Sequence, residues 1–270
     1  MDIIIASSRG KEMKKRLHKL HPNGRKLKVI AKSSLKLEDI LDKLDSYMKT
    51  VKPHEMATCH VYLMAGLCDV TYRDYDEEFY RNTPYDEVIF NETPEEAFNR
   101  VSKTILELTN KIADRGATPI VATIVPSSLS SWNEIRLKQG KTAFLLHHAH
   151  YVSMQANMIR AIQLLNNYIL GVNNVHYMYT PMLASTIMKN MSGPKPARVH
   201  YGMLEEDGVH PTEDLRDLWA ARLMKAIHNN RERQRRRDQS QAPDYDKSDI
   251  RDISLEQDIW EALNREMEKN

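Results

Sequence analysis

The sequence predicts an α/β protein built on a parallel sheet, and three observations carry that prediction. Short apolar runs, several rich in Val and Ile, alternate with longer stretches of helical periodicity, as βαβ units require. Each run is apolar along its length and bounded by turn or polar residues, as strands covered on both faces are. At 270 residues with 41% hydrophobic content, the chain is long enough to bury a proper core.

In order along the chain, the first strand is read at Asp2–Ala6 and the second at Leu27–Ala31. Leu37, Ile40, Leu41, Leu44 and Met48 then recur at helical spacing. A third strand spans Cys59–Ala65, followed by an insert carrying Tyr72, Tyr75, Phe79, Tyr80, Tyr85 and Phe90 among acids. Pro84 and Pro94 mark that insert as a turning segment; it covers the sheet or lines an acyl or aromatic pocket. Phe98, Val101, Ile105, Leu108 and Ile112 predict the next helix and Thr118–Val125 the fourth strand. A longer helix carries Met154, Met158, Ile162, Leu165 and Ile169, and Val175–Thr180 is read as a fifth strand. Pro211 and the acidic Thr212-Glu213-Asp214 open a last helix through Leu215, Leu218, Trp219, Leu223 and Ile227.

Residues 1–228 are therefore read as one α/β domain. The basic knot Arg231–Arg237 and the polar stretch to Asp249 hold too few apolar residues to fold, giving a charged linker over 229–250. Beyond it, Ile253, Leu255, Ile259, Trp260, Leu263 and Met267 predict an amphipathic C-terminal helix over 251–270 that docks on the body or on a partner protein.

No apolar run approaches the roughly 18 residues that span a bilayer. The opening Met1-Asp2-Ile3-Ile4-Ile5, followed by Lys and Arg, has the wrong polarity order for a signal peptide, so an intracellular protein, cytoplasmic or nuclear, is expected. Cys59 and Cys68 are the two cysteines, read as reduced thiols. Net charge is +2 but uneven: residues 1–36 hold eleven Lys and Arg against Asp2 and Glu12. That basic end, with Lys14, Lys15, Arg16, Arg25 and Lys26, is either a polyanion-binding footprint or a solvated helix face.

Ligands of such sheets bind beyond the carboxyl ends of the strands. The loops there carry Ala6-Ser7-Ser8-Arg9-Gly10, Lys32-Ser33-Ser34 and Gly66-Leu67-Cys68-Asp69. Asp207-Gly208-Val209-His210-Pro211 sits just before the last helix. An Asp three residues before a His on a tight turn can fold back onto the imidazole, fix its tautomer and steady the imidazolium that forms when the ring accepts a proton. Two plainer readings stand beside this one: Ser7 and Ser8 as a helix cap, and His210 as a loop imidazole held by Asp207.

In this order, nucleophile first and Asp-x-x-His last, the chain resembles the SGNH (GDSL-type) hydrolases, a family of esterases and acyl hydrolases with a flavodoxin-like three-layer fold. The family's Gly-Asp-Ser block is similar to Ala6-Ser7-Ser8, its second block to Ser33-Ser34-Leu35, its Gly-x-Asn-Asp block to Gly66-Leu67-Cys68-Asp69, and its Asp-x-x-His block is matched in full by Asp207 and His210. The resemblance implies Ser8 as nucleophile, with Ser7 the alternative, His210 as base and Asp207 as its orienting acid. It places Ser34 and Cys68 where the family keeps the Gly and Asn that stabilise the oxyanion. A Ser retains its N–H, whereas a thiol is a poor donor. Cys68 as a thiolate nucleophile is a minor option.

No cofactor and no metal are implied. His147, His148 and His150 lack a nearby carboxylate, and Gly140-Lys141-Thr142 lacks the first glycine of a phosphate loop. Two functions follow: an esterase acting on a small-molecule or acylated substrate through an acyl-enzyme, or a fold that has lost its chemistry and binds RNA or another polyanion through its basic N-terminal segment.

Overall fold

The computed structural model describes residues 1–21, 26–74, 87–142, 150–175, 177–191 and 195–239. In chain order its elements are β1 (Asp2–Ala6), α1 (Ser8–Leu20), β2 (Leu27–Ala31), α2 (Glu38–Met48), α3 (Pro53–Met56), β3 (His60–Met64), α4 (Leu67–Val70), β4 (Tyr72–Asp74), β5 (Glu87–Ile89), α5 (Pro94–Asp114), β6 (Thr118–Val121), α6 (Leu129–Lys138), α7 (Tyr151–Val175), β7 (Met188–Lys189), β8 (Arg198–Val199) and α8 (Glu213–Gln239).

β1, β2, β3 and β6 form a parallel sheet in the order β2-β1-β3-β6. Ile3, Ile4 and Ile5 on β1 and Val61, Tyr62 and Leu63 on β3 are fully buried, which is why these strands read as unbroken apolar runs. The chain leaves β1 toward β2 and then returns across the sheet to β3. Right-handed crossovers therefore set α1 on one face and α2 and α5 on the other. The reversal falls between β1 and β3, and the crevice beyond their carboxyl ends is where ligands of such sheets bind.

The sheet has four strands where the sequence predicts five. Val175 ends α7, and residues 177–180 form no strand. The outer edge of β6 explains the difference. Its outward-facing positions are Pro119, which has no N–H, Val121, whose N–H and C=O are both taken by the Asn173 amide (3.2 and 2.8 Å), and Thr123. Only Thr123 finds backbone there, donating to the Pro181 carbonyl at 3.1 Å, and Pro181 has no N–H to return.

The same device recurs. Asn166 bonds both backbone groups of Ile124 (2.7 and 3.0 Å), Asn133 those of Val88 (2.7 and 2.6 Å), and Asn230 those of Tyr179 (2.5 and 3.1 Å). All four asparagines are fully buried. Each stands in for one residue of a neighbouring strand and satisfies a peptide that would otherwise be orphaned in the core.

The helices at Glu38–Met48, Pro94–Asp114, Tyr151–Val175 and Glu213–Gln239 contain the periodic runs read from sequence, except that Leu37 stands at the N-cap of the first. The thirteen-residue α1, rich in charged side chains, keeps a narrow buried stripe of Arg9, Met13 and Leu17. Two small antiparallel pairs, β4 with β5 and β7 with β8, lie outside the main sheet. Met1–Asn230 form one compact unit, and Arg231–Asn270 are a separate one. The linker expected from 229 is helical as far as Gln239, since residues 229–239 contain no Gly or Pro. The rest of that linker and the expected helix at 251–270 lie outside the described residues. No helix among the described residues is long and apolar enough to cross a membrane.

Candidate active site

At the switch point, β1 passes into α1 without a loop. The Ser7 N–H donates to the Met64 carbonyl at 3.2 Å, which ties the end of β1 to the end of β3. Ser7 then occupies the N-cap position, yet its hydroxyl makes no capping bond. Capping therefore does not account for the serine pair. Ser8 is the first helical residue, so its N–H is one of those that a helix leaves without an internal partner. Both serines are half-buried.

The Asp207–His210 turn closes as the spacing predicts. Asp207 Oδ1 accepts from the Val209 and His210 amides at 2.8 and 2.9 Å, and Oδ2 meets His210 Nδ1 at 2.5 Å. The other ring nitrogen, Nε2, is left for a proton transfer. Burial pushes the Asp207 carboxyl up, but the His210 ring bond and the two amides outweigh it and hold the group at about 2. The bond from Asp207 raises the His210 pKa, against a smaller opposing effect of burial. Glycine is required inside this turn: Gly208 has φ +65°, and a Cβ there would stand 2.6 Å from Ser128 Cβ. The Ser128 N–H donates to the Gly208 carbonyl at 2.8 Å, fastening the turn to the start of α6.

The second and third loops are joined to each other. Ser34 is exposed and adopts φ +56°, the left-handed conformation that favours glycine, at the position where the resemblance places the family's glycine. Gly66, with φ +115°, turns the chain out of β3; a Cβ there would meet Ile124 Cδ1 at 2.6 Å. Asp69, on the α4 turn, accepts the Leu37 N–H at 3.0 Å and so bridges the Gly66 turn to the Ser34 loop. Burial pushes its carboxyl up to about 6 despite that bond. Cys68 is half-buried and forms no disulfide.

Sequence reasoning passed over Arg9. The residue is 7% exposed, and its guanidinium donates from Nε to the Val209 carbonyl (2.8 Å), from Nη1 to Val125 (2.7 Å) and from Nη2 to Pro126 (3.2 Å). Burial lowers its pKa to about 10, with Cys68, Asp207 and Glu12 acting in the opposite direction. The residue after Ser8 thus bonds the residue before His210, and the first loop, the loop after β6 and the last loop meet around one cation. Its signal was present: Arg9, Met13 and Leu17 repeat every four residues on the buried face of α1, where a charge is out of place. Among the described residues no hydrogen bond joins the Ser7 or Ser8 hydroxyl to His210.

The basic residues separate into two groups. Lys14 and Lys15 are exposed, whereas Arg16 pairs with Glu213 (2.7 Å) and Asp217, and Lys26 with Glu55 (3.1 Å). Arg25, His147 and His148 lie outside the described residues, and among those described no cluster of three or more His, Cys, Asp or Glu is placed to hold a metal.

No family model matches the sequence, and no curated protein matches it. The fold does find counterparts among solved structures. A GDSL-like lipase from Bacteroides thetaiotaomicron aligns with a TM-score of 0.52 and 14% identity, over 84% of this chain and 87% of that one. A member of the lipolytic G-D-S-L protein family from Veillonella parvula aligns with a TM-score of 0.50 and 10% identity, over 84% and 97%. With its parallel sheet, its crossovers and the edge at which its loops gather, this chain has an SGNH/GDSL hydrolase-type fold.

Proposed function

We propose that the protein is a serine ester hydrolase that works through an acyl-enzyme. The observation that carries the reading is the Asp207–His210 pair, bonded at 2.5 Å on a turn that Arg9, the residue after Ser8, fastens through the Val209 carbonyl. In the first half-reaction, Ser8 Oγ attacks the acyl carbonyl as His210 Nε2 takes its proton, and Asp207 steadies the imidazolium. The carbonyl oxygen becomes an oxyanion, for which the Ser8 amide at the helix start and the Ser34 amide are the donors, with Cys68 at the third position. Collapse breaks the ester C–O bond, and His210 returns the proton to the departing alcohol. Water, deprotonated by the same imidazole, then releases the acid and restores Ser8.

With a thiol where the family has an amide, one strong oxyanion donor is missing. Loss of such a donor costs on the order of 100- to 1000-fold in turnover, so a slow esterase with activated acyl esters as its best substrates is expected. The test is the release of p-nitrophenol from short-chain acyl esters, read for a burst followed by slower turnover. A burst that needs both Ser8 and His210 supports the proposal; hydrolysis that survives both substitutions contradicts it. A polyanion-binding role has less behind it: Lys14 and Lys15 are exposed, but Arg16 pairs with Glu213 and Asp217 and Lys26 with Glu55.

A further inference from the structure

We infer that Arg9 is a positioning residue that holds the Ser8 hydroxyl and the His210 ring in register. The inference rests on the serine hydrolase reading and adds to it a residue that the motif does not include. Arg9 follows Ser8 on the first turn of α1, and its Nε bonds the carbonyl of Val209, the residue before His210. Its two terminal nitrogens bond Val125 and Pro126, just ahead of Ser128, whose amide holds Gly208 in the His210 turn. The bonds form a closed circuit through nucleophile segment, β6 loop and base turn.

A guanidinium suits this place because its donors are fixed in a plane, so three carbonyls set its orientation as well as its distance. The Trp219 ring lies against it, 5.8 Å from its central carbon. All three of these bonds run to neutral carbonyls. A buried cation satisfied in that way is a costly choice for stability alone, which an apolar side chain in the stripe with Met13 and Leu17 would supply more cheaply. Its return is geometric: a misplacement of about 1 Å between reacting groups costs on the order of 100-fold in rate.

The experiment compares wild type, Arg9→Lys and Arg9→Met, each full-length and held well below its melting temperature. The second-order rate of fluorophosphonate labelling is measured across pH, with amide hydrogen exchange at Val209 and His210 measured beside it. Lysine keeps the charge but presents a single nitrogen that cannot span three carbonyls. Arg9→Lys is expected to slow labelling by about 10- to 100-fold and to speed exchange in the 207–211 turn, while the pH midpoint stays in place. Arg9→Met removes a cation that disfavours protonated His210 and is expected to slow labelling and move the midpoint upward. Labelling at the wild-type rate in both variants, with melting temperature alone reduced, overturns the inference and leaves the hydrolase reading standing. A folded wild type that is not labelled at all overturns both. If Arg9→Met does not fold, the Arg9→Lys rate and exchange decide alone.

Discussion

His210 carries two opposing influences, and their balance sets the pH behaviour of the site. The bond to Asp207 raises the ring's affinity for a proton above its ordinary value near 6.5, and burial works against it without prevailing. A general base must be neutral to act, so labelling and hydrolysis are expected to rise with pH through a midpoint above 6.5. Asp207→Asn removes the carboxylate that raises the pKa, so the midpoint should move down even as the rate falls by orders of magnitude; a midpoint that stays in place contradicts the pairing. The same pair acts on stability, with signs that follow from the shifts. Asp207, depressed to about 2, stabilises the fold above the ordinary carboxyl range and loses that contribution as pH falls toward 2. His210, raised, contributes below 6.5 and loses its share as pH climbs through its folded value. Melting temperatures of wild type and Asp207→Asn should therefore differ most between about 4 and 6.5, converge as pH falls toward 2, and narrow without converging as pH climbs past the His210 midpoint, where the amide bonds to the carboxylate persist. At the nucleophile, Ser8→Ala and His210→Ala should each remove nearly all turnover, and the double variant should be little worse than either, because the residues act as a unit.

Each loop at the sheet edge is held by a particular backbone angle or side-chain bond, and these can be tested independently of catalysis. Ser34 sits at φ +56° with a Cβ in a conformation that favours glycine. Ser34→Gly should raise stability by about 0.5–1 kcal/mol while keeping the N–H proposed for the oxyanion, as thermal denaturation and labelling would register. Gly208→Ala should do the reverse: φ +65° and a contact at 2.6 Å from Ser128 Cβ predict a loss of about 2–4 kcal/mol, with activity falling as the His210 turn shifts. At the far edge, Asn173→Ala leaves the N–H and C=O of Val121 buried without partners and should cost about 2–3 kcal/mol; a loss within experimental error contradicts the strand-substituting role. These elements also mark the limit of what the sequence discloses. Apolar runs reveal strands such as Ile3–Ile5 because burial on both faces leaves a local trace. Whether a run pairs is a property of the edge it meets, and an edge formed by Pro119, Pro181 and distant asparagine amides left Val175–Thr180 looking like a strand that does not form.

Across the whole molecule, the candidate site is drawn from segments some 200 residues apart, joined by bonds that no local pattern encodes. The Asp-x-x-His turn was legible because its chemistry is confined to four residues. The convergence of the serine, Ser34 and Gly66 loops followed from strand order. The Arg9 circuit was not legible, since its acceptors are backbone carbonyls at Val125, Pro126 and Val209, and carbonyls carry no residue signature. Nor was the Asp69 link to Leu37, which joins two loops of the site. The ion pairs of Arg16 with Glu213 and Asp217 likewise turn part of a basic segment into the contact between α1 and α8. The central claim is that these distant parts make Ser8 an activated nucleophile, and reaction of the folded full-length protein with a fluorophosphonate tests it most directly, with the labelled peptide identified by mass. A single adduct on Ser8, absent from Ser8→Ala and His210→Ala and retained in Ser7→Ala, is the predicted result. No adduct, or one on Ser7 or Cys68 that persists without His210, would contradict the account.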